Sequence, residues 1–217
     1  MAHPHSKYAP PRNAGLELIY RDESLIVANK PAGLLAVPGR GADKQDCLAS
    51  RVQAEFSDVL VVHRLDMATS GLLLFARDAG MQRRLSEMFR KHEVQKCYVA
   101  VVSGSMASHV GEVELPLVCD WPNRPKQKVD FSSGKPSLTR YRVLGHKAGT
   151  TRVELEPVTG RTHQLRVHLA AIGHPILGDA LYGDADSAER LLLHASTLSF
   201  AHPLSGKPLS LASEPPF

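Results

Sequence analysis

The sequence predicts an α+β domain built on a mixed, largely antiparallel sheet. Many short apolar or alternating runs read as strands, and few stretches carry helical spacing. At two places a pair of such runs is separated by turn residues at hairpin distance. These are Leu16 to Tyr20 with Ser24 to Asn29, and Ser137 to Leu144 with Thr151 to Glu156.

Taken in order, residues 1–15 are rich in Pro and His and form an expected flexible arm, leaving 16–217 as the folded domain. Arg21-Asp22-Glu23 turns the first hairpin. Asn29 to Gly39 then holds two prolines and two glycines and reads as a shaped loop, in which the bland alternative for Lys30 is a solvated loop lysine. Asp46 to Phe56 has helical spacing, with Leu48, Val52 and Phe56 on one face. Leu72 to Ala76 is a short unbroken apolar segment, the mark of a buried strand. Asp78 is a good N-cap for a second helix, with Met81, Leu85, Met88 and Phe89 as its apolar stripe. Arg83, Arg84, Arg90 and Lys91 on that helix read as a solvated polar face more readily than as a phosphate-contacting one. Val94 to Val102 reads as a strand. A third helix is expected from Gly160 through Ile172, with Gly173 as its stop.

Composition narrows the partners. The chain has 217 residues, enough for a sizeable core, with 43% hydrophobic and 22% charged residues. Its formal net charge of +4 and pI near 9.0 favour a polyanionic partner without requiring one. Cys47, Cys97 and Cys119 are far apart and form no CxxC, so no zinc knuckle or redox motif is suggested, and a sparse odd count fits a reducing compartment. The N-terminus has no apolar signal segment, and no apolar run reaches the roughly 20 residues that span a bilayer. A cytoplasmic monomer with no membrane attachment is expected.

The stretch Val61 to Ala76 sets charge directly against core. If Arg64-Leu65-Asp66 is extended, Leu65 points to the core and Arg64 and Asp66 share the opposite side. Unpaired charges between two core segments are costly. A carboxylate beside a guanidinium stays ionised and serves as a nucleophile or base. It is equally an ion pair that only specifies the fold.

His63-Arg64-Leu65-Asp66-Met67-Ala68-Thr69-Ser70-Gly71 resembles the HRLDxxTSG motif of the RluA family of pseudouridine synthases. Further motifs follow in the family's order. They are Asn29-Lys30-Pro31-Ala32-Gly33, then Lys96-Cys97-Tyr98-Val99-Ala100, Gly160 to Arg166, and Leu191-Leu192-Leu193-His194-Ala195. The resemblance runs from about Leu16 to Pro203. It implies the pseudouridine synthase fold, one long sheet bent into two halves with flanking helices and the catalytic cleft between them. It also implies a catalytic role for Asp66, a tyrosine near the reacting base at Tyr98, and Arg166 beside the catalytic aspartate. Arg64 is assigned with these. Leu193 is expected against the target base, His63 in substrate binding, and Lys30 in a structural role near the cleft. No metal or other cofactor is implied. Several family members carry an S4-type RNA-binding domain ahead of the catalytic one. Only a short arm precedes Leu16, so that domain is expected to be absent.

Cys119 to Val129 holds the single tryptophan, Trp121, two prolines, and the cations Arg124, Lys126 and Lys128. Cations meet phosphates and an indole stacks on a base, so these four are candidate RNA contacts. The alternative is a proline-bounded turn around a packed tryptophan. The segment also resembles a signature within the family that marks members acting on both rRNA and tRNA. The expected activity is therefore isomerisation of uridines to pseudouridine in structured RNA, in a hairpin loop of 23S large-subunit rRNA and the anticodon stem-loop of tRNAs. A non-catalytic RNA-binding module would not need Asp66, Tyr98 and Arg166 together. A metal-dependent hydrolase is disfavoured because His163 and His168 lack the i, i+4 spacing of a helical metal pair.

Overall fold

Asp22 builds the first turn of the fold. In the computed structural model, which describes residues 8–217, its Oδ1 accepts from the amides of Ser24 and Leu25 at 2.7 and 2.9 Å. That side-chain closure is the reason Asp favours turns. It joins β1 (Leu18–Arg21) to β2 (Leu25–Lys30), the expected hairpin.

The chain forms two compact units, residues 1–86 and 87–217. In the first, α1 (Leu48–Glu55) precedes β3 (Leu60–Val61) and β4 (Ser70–Ala76). β2 and β3 both pair antiparallel with β4. Every residue of β4 is buried, as its apolar run implies. A fully buried Leu or Phe contributes about 1.5–3 kcal/mol. The helix expected from Asp46 starts instead at Leu48. Cys47 is its N-cap: its Sγ accepts from the Ser50 amide at 3.3 Å, and Ser50 Oγ accepts from the Cys47 amide at 3.0 Å. This is a capping box with sulfur in place of the usual hydroxyl. Asp46 meanwhile pairs in bidentate fashion with Arg51, both contacts at 2.8 Å.

The arm is held from Tyr8 onward. The Tyr8 hydroxyl accepts from the Leu35 amide and donates to the Asp46 carbonyl, and Arg51 donates to the Pro11 carbonyl. Residues 1–7, where the rest of the expected arm falls, lie outside the described residues. α2 (Ala79–Arg90) leads into the second unit, capped by Asp78, whose Oδ1 accepts from the Met81 amide at 2.8 Å. Arg83, Arg90 and Lys91 are exposed, and Glu87 pairs with the latter two, which fits the solvated-face reading.

The second unit holds β5 (Gln95–Ser103), β6 (Val110–Glu114), β7 (Leu117–Cys119), β8 (Gln127–Val129), β9 (Leu138–Lys147) and β10 (Thr150–Pro157). α3 (Gln164–Ala171), β11 (Leu193–Ala201) and β12 (Pro208–Ala212) follow. The strands run β11–β5–β10–β9–β6, all antiparallel, with β12 on β11 and β7–β8 as a separate ribbon. The α+β expectation is borne out. No helix among the described residues is long and apolar enough to cross a membrane.

The third helix begins at Gln164, not at Gly160. His163 sits in left-handed backbone with φ 54°, and the Gln164 side chain accepts from the Arg161 amide at 3.0 Å, closing a turn ahead of the helix. Its end is as expected. Gly173, at φ 85°, donates to the Ala170 carbonyl while His174 donates to the Leu169 carbonyl. That is a Schellman stop.

His168 on α3 is fully buried. Its Nε2 lies 3.0 Å from the Leu115 carbonyl and its Nδ1 lies 3.0 Å from Thr139 Oγ1. A carbonyl only accepts, so Nε2 carries the proton and Nδ1 accepts. Burial pushes the His168 imidazole below its ordinary value. Burial pushes His194 down to about 4, with the Arg190 charge adding to the effect. Both rings are neutral in the fold, while unfolded histidines titrate near 6.5. Their stabilising contribution is full above about pH 6.5 and is lost as pH falls from there toward 4. Thermal melts should show the midpoint dropping across pH 6.5 to 5. His194→Asn should flatten that drop, and an unchanged slope would remove His194 from the account.

Candidate active site

Asp66 lies in the loop between β3 and β4, and its position is set by main-chain anchors. Leu65 is buried at 6% exposure, while Arg64 is exposed and Asp66 half-buried. Leu65 thus anchors the core as the alternation predicts. Arg64 departs from the expectation of a charge enclosed between core segments. Its exposure removes the desolvation cost that the sequence implied.

The Asp66 carbonyl accepts from the Thr69 amide at 3.2 Å, closing a turn. The next carbonyl, of Met67, accepts from the Gly33 amide at 2.9 Å and from Lys30 Nζ at 3.0 Å. Lys30 Nζ also donates to the carbonyls of Pro31 and Leu34, at 2.9 and 2.6 Å. Lys30 is fully buried, which removes the solvated-lysine alternative and fits the structural role. An ammonium has three donors and no acceptor, so three carbonyls suit it where no water reaches. His63 is also committed to the scaffold, since its Nε2 accepts from the Leu74 amide at 3.0 Å. The neutral ring then carries its proton on Nδ1.

In the second unit, Arg166 is buried on α3 and forms a bidentate pair with Asp179, Nε to Oδ2 at 2.8 Å and Nη2 to Oδ1 at 2.7 Å. Burial pushes the Asp179 carboxyl up, but the Arg166 guanidinium and the Leu181 and Tyr182 amides outweigh it, and the net displacement is downward. The guanidinium stands 5.2 Å from the centre of the Tyr182 ring. Tyr98 is half-buried on β5, flanked by Ala195 of β11 and Leu155 of β10. Leu193, with 3% exposure, opens β11 opposite Ala100 and suits a wall better than a free stacking face.

The basic loop is the tip of the β7–β8 ribbon. Trp121 opens a single 3-10 turn and is 65% exposed, so it is not the packed tryptophan of the alternative reading. Arg124 lies over its ring at 4.2 Å. Lys128 sits 3.8 Å from Asp130, and Lys126 is half-buried. His163 and His168, weighed as metal ligands, enter separate hydrogen-bond sets, the first with Tyr182 and the second with Ser137, Thr139 and Leu115.

A sequence model of the RNA pseudouridylate synthase family matches residues 24–171, more than half of the chain, and the protein belongs to that family. Among similar proteins, the dual-specificity RNA pseudouridine synthase RluA of Vibrio cholerae is 51% identical over 203 residues, covering 92% of this chain and 83% of that one. RluA of Escherichia coli K12 is 47% identical over 214 residues, covering 97% and 98%. Of solved structures, human RNA pseudouridylate synthase domain containing 1 superposes with TM-score 0.78 at 29% identity, covering 96% of this chain and 87% of that one. Human RNA pseudouridylate synthase domain containing 4 gives 0.73 at 27%, covering 92% and 88%.

The first unit groups His63, Arg64 and Asp66 with Lys30. The second carries Tyr98, Arg166, Leu193 and the basic loop. Sequence reasoning missed Asp179 and Tyr182. The available signal was an Asp and a Tyr bracketed by Gly178 and Gly183 in a loop, where a carboxylate that caps backbone amides is expected. Lys30→Met should test the anchor beside Asp66. It keeps the stem but removes the donor shared by three carbonyls, and urea unfolding should show a loss of about 2–4 kcal/mol. A variant as stable as the parent would reduce Lys30 to a bystander.

Proposed function

We propose that the protein isomerises specific uridines to pseudouridine in RNA, in a hairpin loop of 23S rRNA and in the anticodon stem-loop of tRNAs. Asp66 is the catalytic residue. The observation that carries this reading is the fixed presentation of Asp66, with Leu65 buried on one side and the Met67 carbonyl gripped by Lys30 and Gly33 on the other. Family membership and relatives named dual-specificity RNA pseudouridine synthases support the substrate class.

The reaction breaks the bond from ribose C1′ to uracil N1 and remakes it to C5. The C5 proton leaves, N1 gains one, and no redox change occurs. Asp66 acts at the ribose, either by adding to C1′ or by taking the C2′ proton. Tyr98 packs on the extruded base and takes part in removing the C5 proton. Arg64 and Arg166 supply positive charge for the carboxylate and for the space the base leaves, and Leu193 forms a wall. Extruding a base costs a few kcal/mol, least in a loop, which favours stem-loop substrates. Trp121, Arg124, Lys126 and Lys128 hold the RNA outside the chemistry. The enzyme works as a cytoplasmic monomer.

Asp66→Asn should fold and bind RNA yet release no tritium from 5-tritiated uridine in RNA, because Asn keeps the shape and loses the charge. Near-normal release would sink the assignment. Replacing Arg124, Lys126 and Lys128 together by Ala should weaken RNA binding most at low salt. It should flatten the dependence of log affinity on log salt by up to about 2 units, at about 0.7 per contact. Filter binding across salt concentrations reads this directly, and an intact fold with an unchanged slope leaves the loop without phosphate contacts.

A further inference from the structure

Tyr182 touches both parts of the second unit that the proposed function uses. Its hydroxyl accepts from the amide of Gln127, the first residue of β8, at 2.7 Å. The same hydroxyl lies 2.7 Å from His163 Nδ1, and the two rings meet edge-on at 5.6 Å. A phenol oxygen can accept one bond and donate another, so the two contacts are compatible. The Tyr182 ring also meets the Arg166 guanidinium, and its amide donates to Asp179 Oδ1 at 3.2 Å. That oxygen is also the acceptor of Arg166 Nη2.

The ribbon's tip closes on itself, with the Asp120 amide donating to the Lys126 carbonyl and the Lys126 amide to the Asn123 carbonyl, both at 3.0 Å. β7 and β8 are three residues each and pair with each other, with one further bridge from Leu117 to Lys135 at the end away from the tip. A two-stranded ribbon of this length is marginal in water. The side chains of its tip are largely exposed. A hydrogen bond from outside, at the point where this closed tip rejoins β8, therefore helps fix where the cations stand. His163 supports this geometry from a left-handed backbone that a residue with a side chain rarely adopts, the kind of strain that persists where the surroundings fix it.

We propose that Tyr182 is a positioning residue that joins the RNA-holding β7–β8 ribbon to Arg166, its hydroxyl fixing the start of β8 and its ring and main chain supporting the guanidinium. The inference rests on the reading that the ribbon binds RNA and that Arg166 serves the reaction. The two contacts separate by chemistry. Tyr182→Phe removes the hydroxyl and keeps the ring, so it acts on the ribbon. Tyr182→Leu removes both, so it acts on Arg166 as well.

The test is steady-state and single-turnover kinetics on a tRNA anticodon stem-loop, run for both variants and combined with the Arg124, Lys126 and Lys128 triple Ala variant. Tyr182→Phe should raise KM about threefold to tenfold, the worth of one hydrogen bond, with a much smaller change in kcat. Tyr182→Leu should lower kcat in addition. The KM effect of Tyr182→Phe should shrink in the triple variant, because residues acting through one element are not additive. If the triple variant raises KM but Tyr182→Phe does not, or the two effects simply add, the coupling is overturned while the ribbon's RNA role stands. If the triple variant itself leaves KM unchanged, the underlying reading fails and the coupling with it. Amide exchange on the unmodified protein gives a second check that needs no variant. The Gln127 amide should be protected, and rapid exchange there would overturn the hydroxyl contact.

Discussion

The buried pair of Arg166 and Asp179 is the contact on which the chemistry proposed for the second unit depends. With 4% and 0% exposure, neither partner can be lost cheaply, since stranding a buried charge costs about 3–5 kcal/mol. The pair is possible only because of Gly178. That residue has φ 71°, and a Cβ there would run into the Arg190 carbonyl. The tight pass lets Leu177 bond to Val101 and Leu192 while Asp179 turns its carboxylate toward Arg166 on α3. A glycine, an aspartate and a helix arginine thus form one constraint, and Tyr182 is carried along by it through its amide.

Two buried cations are satisfied here in different ways, and the difference follows their chemistry. Lys30 is a compact point charge with donors in three directions, and three carbonyls meet it. Arg166 is a planar fork, and a single carboxylate meets it side-on while an aromatic ring faces its plane. Lys30 fixes main chain next to Asp66. The Asp179 carboxylate fixes a side chain. Exchanging the two residue types would leave donors unmet at both places.

The strands β1, β2, β4, β5, β9 and β10, α2 and the end of α3 were legible because each is a local pattern: Leu72 to Ala76 by apolar run, Asp78 by capping, Gly173 by helix termination. β3, β6, β7, β8 and β12 were not legible, as they have five residues or fewer and owe their form to a partner strand. The start of α3 was misplaced because the Gln164 side chain closes a turn that competes with helix at Gly160 to His163. The start of α1 was misplaced because Cys47 is an unusual cap. Of the site, Asp66, Tyr98 and Arg166 stand in recognisable motifs, and the alternation around Leu65 was right. The burial of Lys30 and the partnership of Arg166 with Asp179 depend on contacts far along the chain, which no periodicity encodes.

The charges of this protein fall into two electrostatic regimes. Arg124 and Lys128 stand in water at the ribbon tip beside the exposed Trp121, where salt screens them within about 8 Å at physiological ionic strength. Arg166 and Lys30 are enclosed and hydrogen-bonded, where added salt barely reaches them. An interaction with RNA that is mostly phosphate contact weakens as salt rises and can therefore be made and broken repeatedly. The Lys30 anchor beside Asp66 and the Arg166–Asp179 pair do not weaken with it. The enzyme proposed here must release one RNA and take the next while the groups assigned to the reaction stay in place, which calls for both regimes, and the two lie in different parts of the chain.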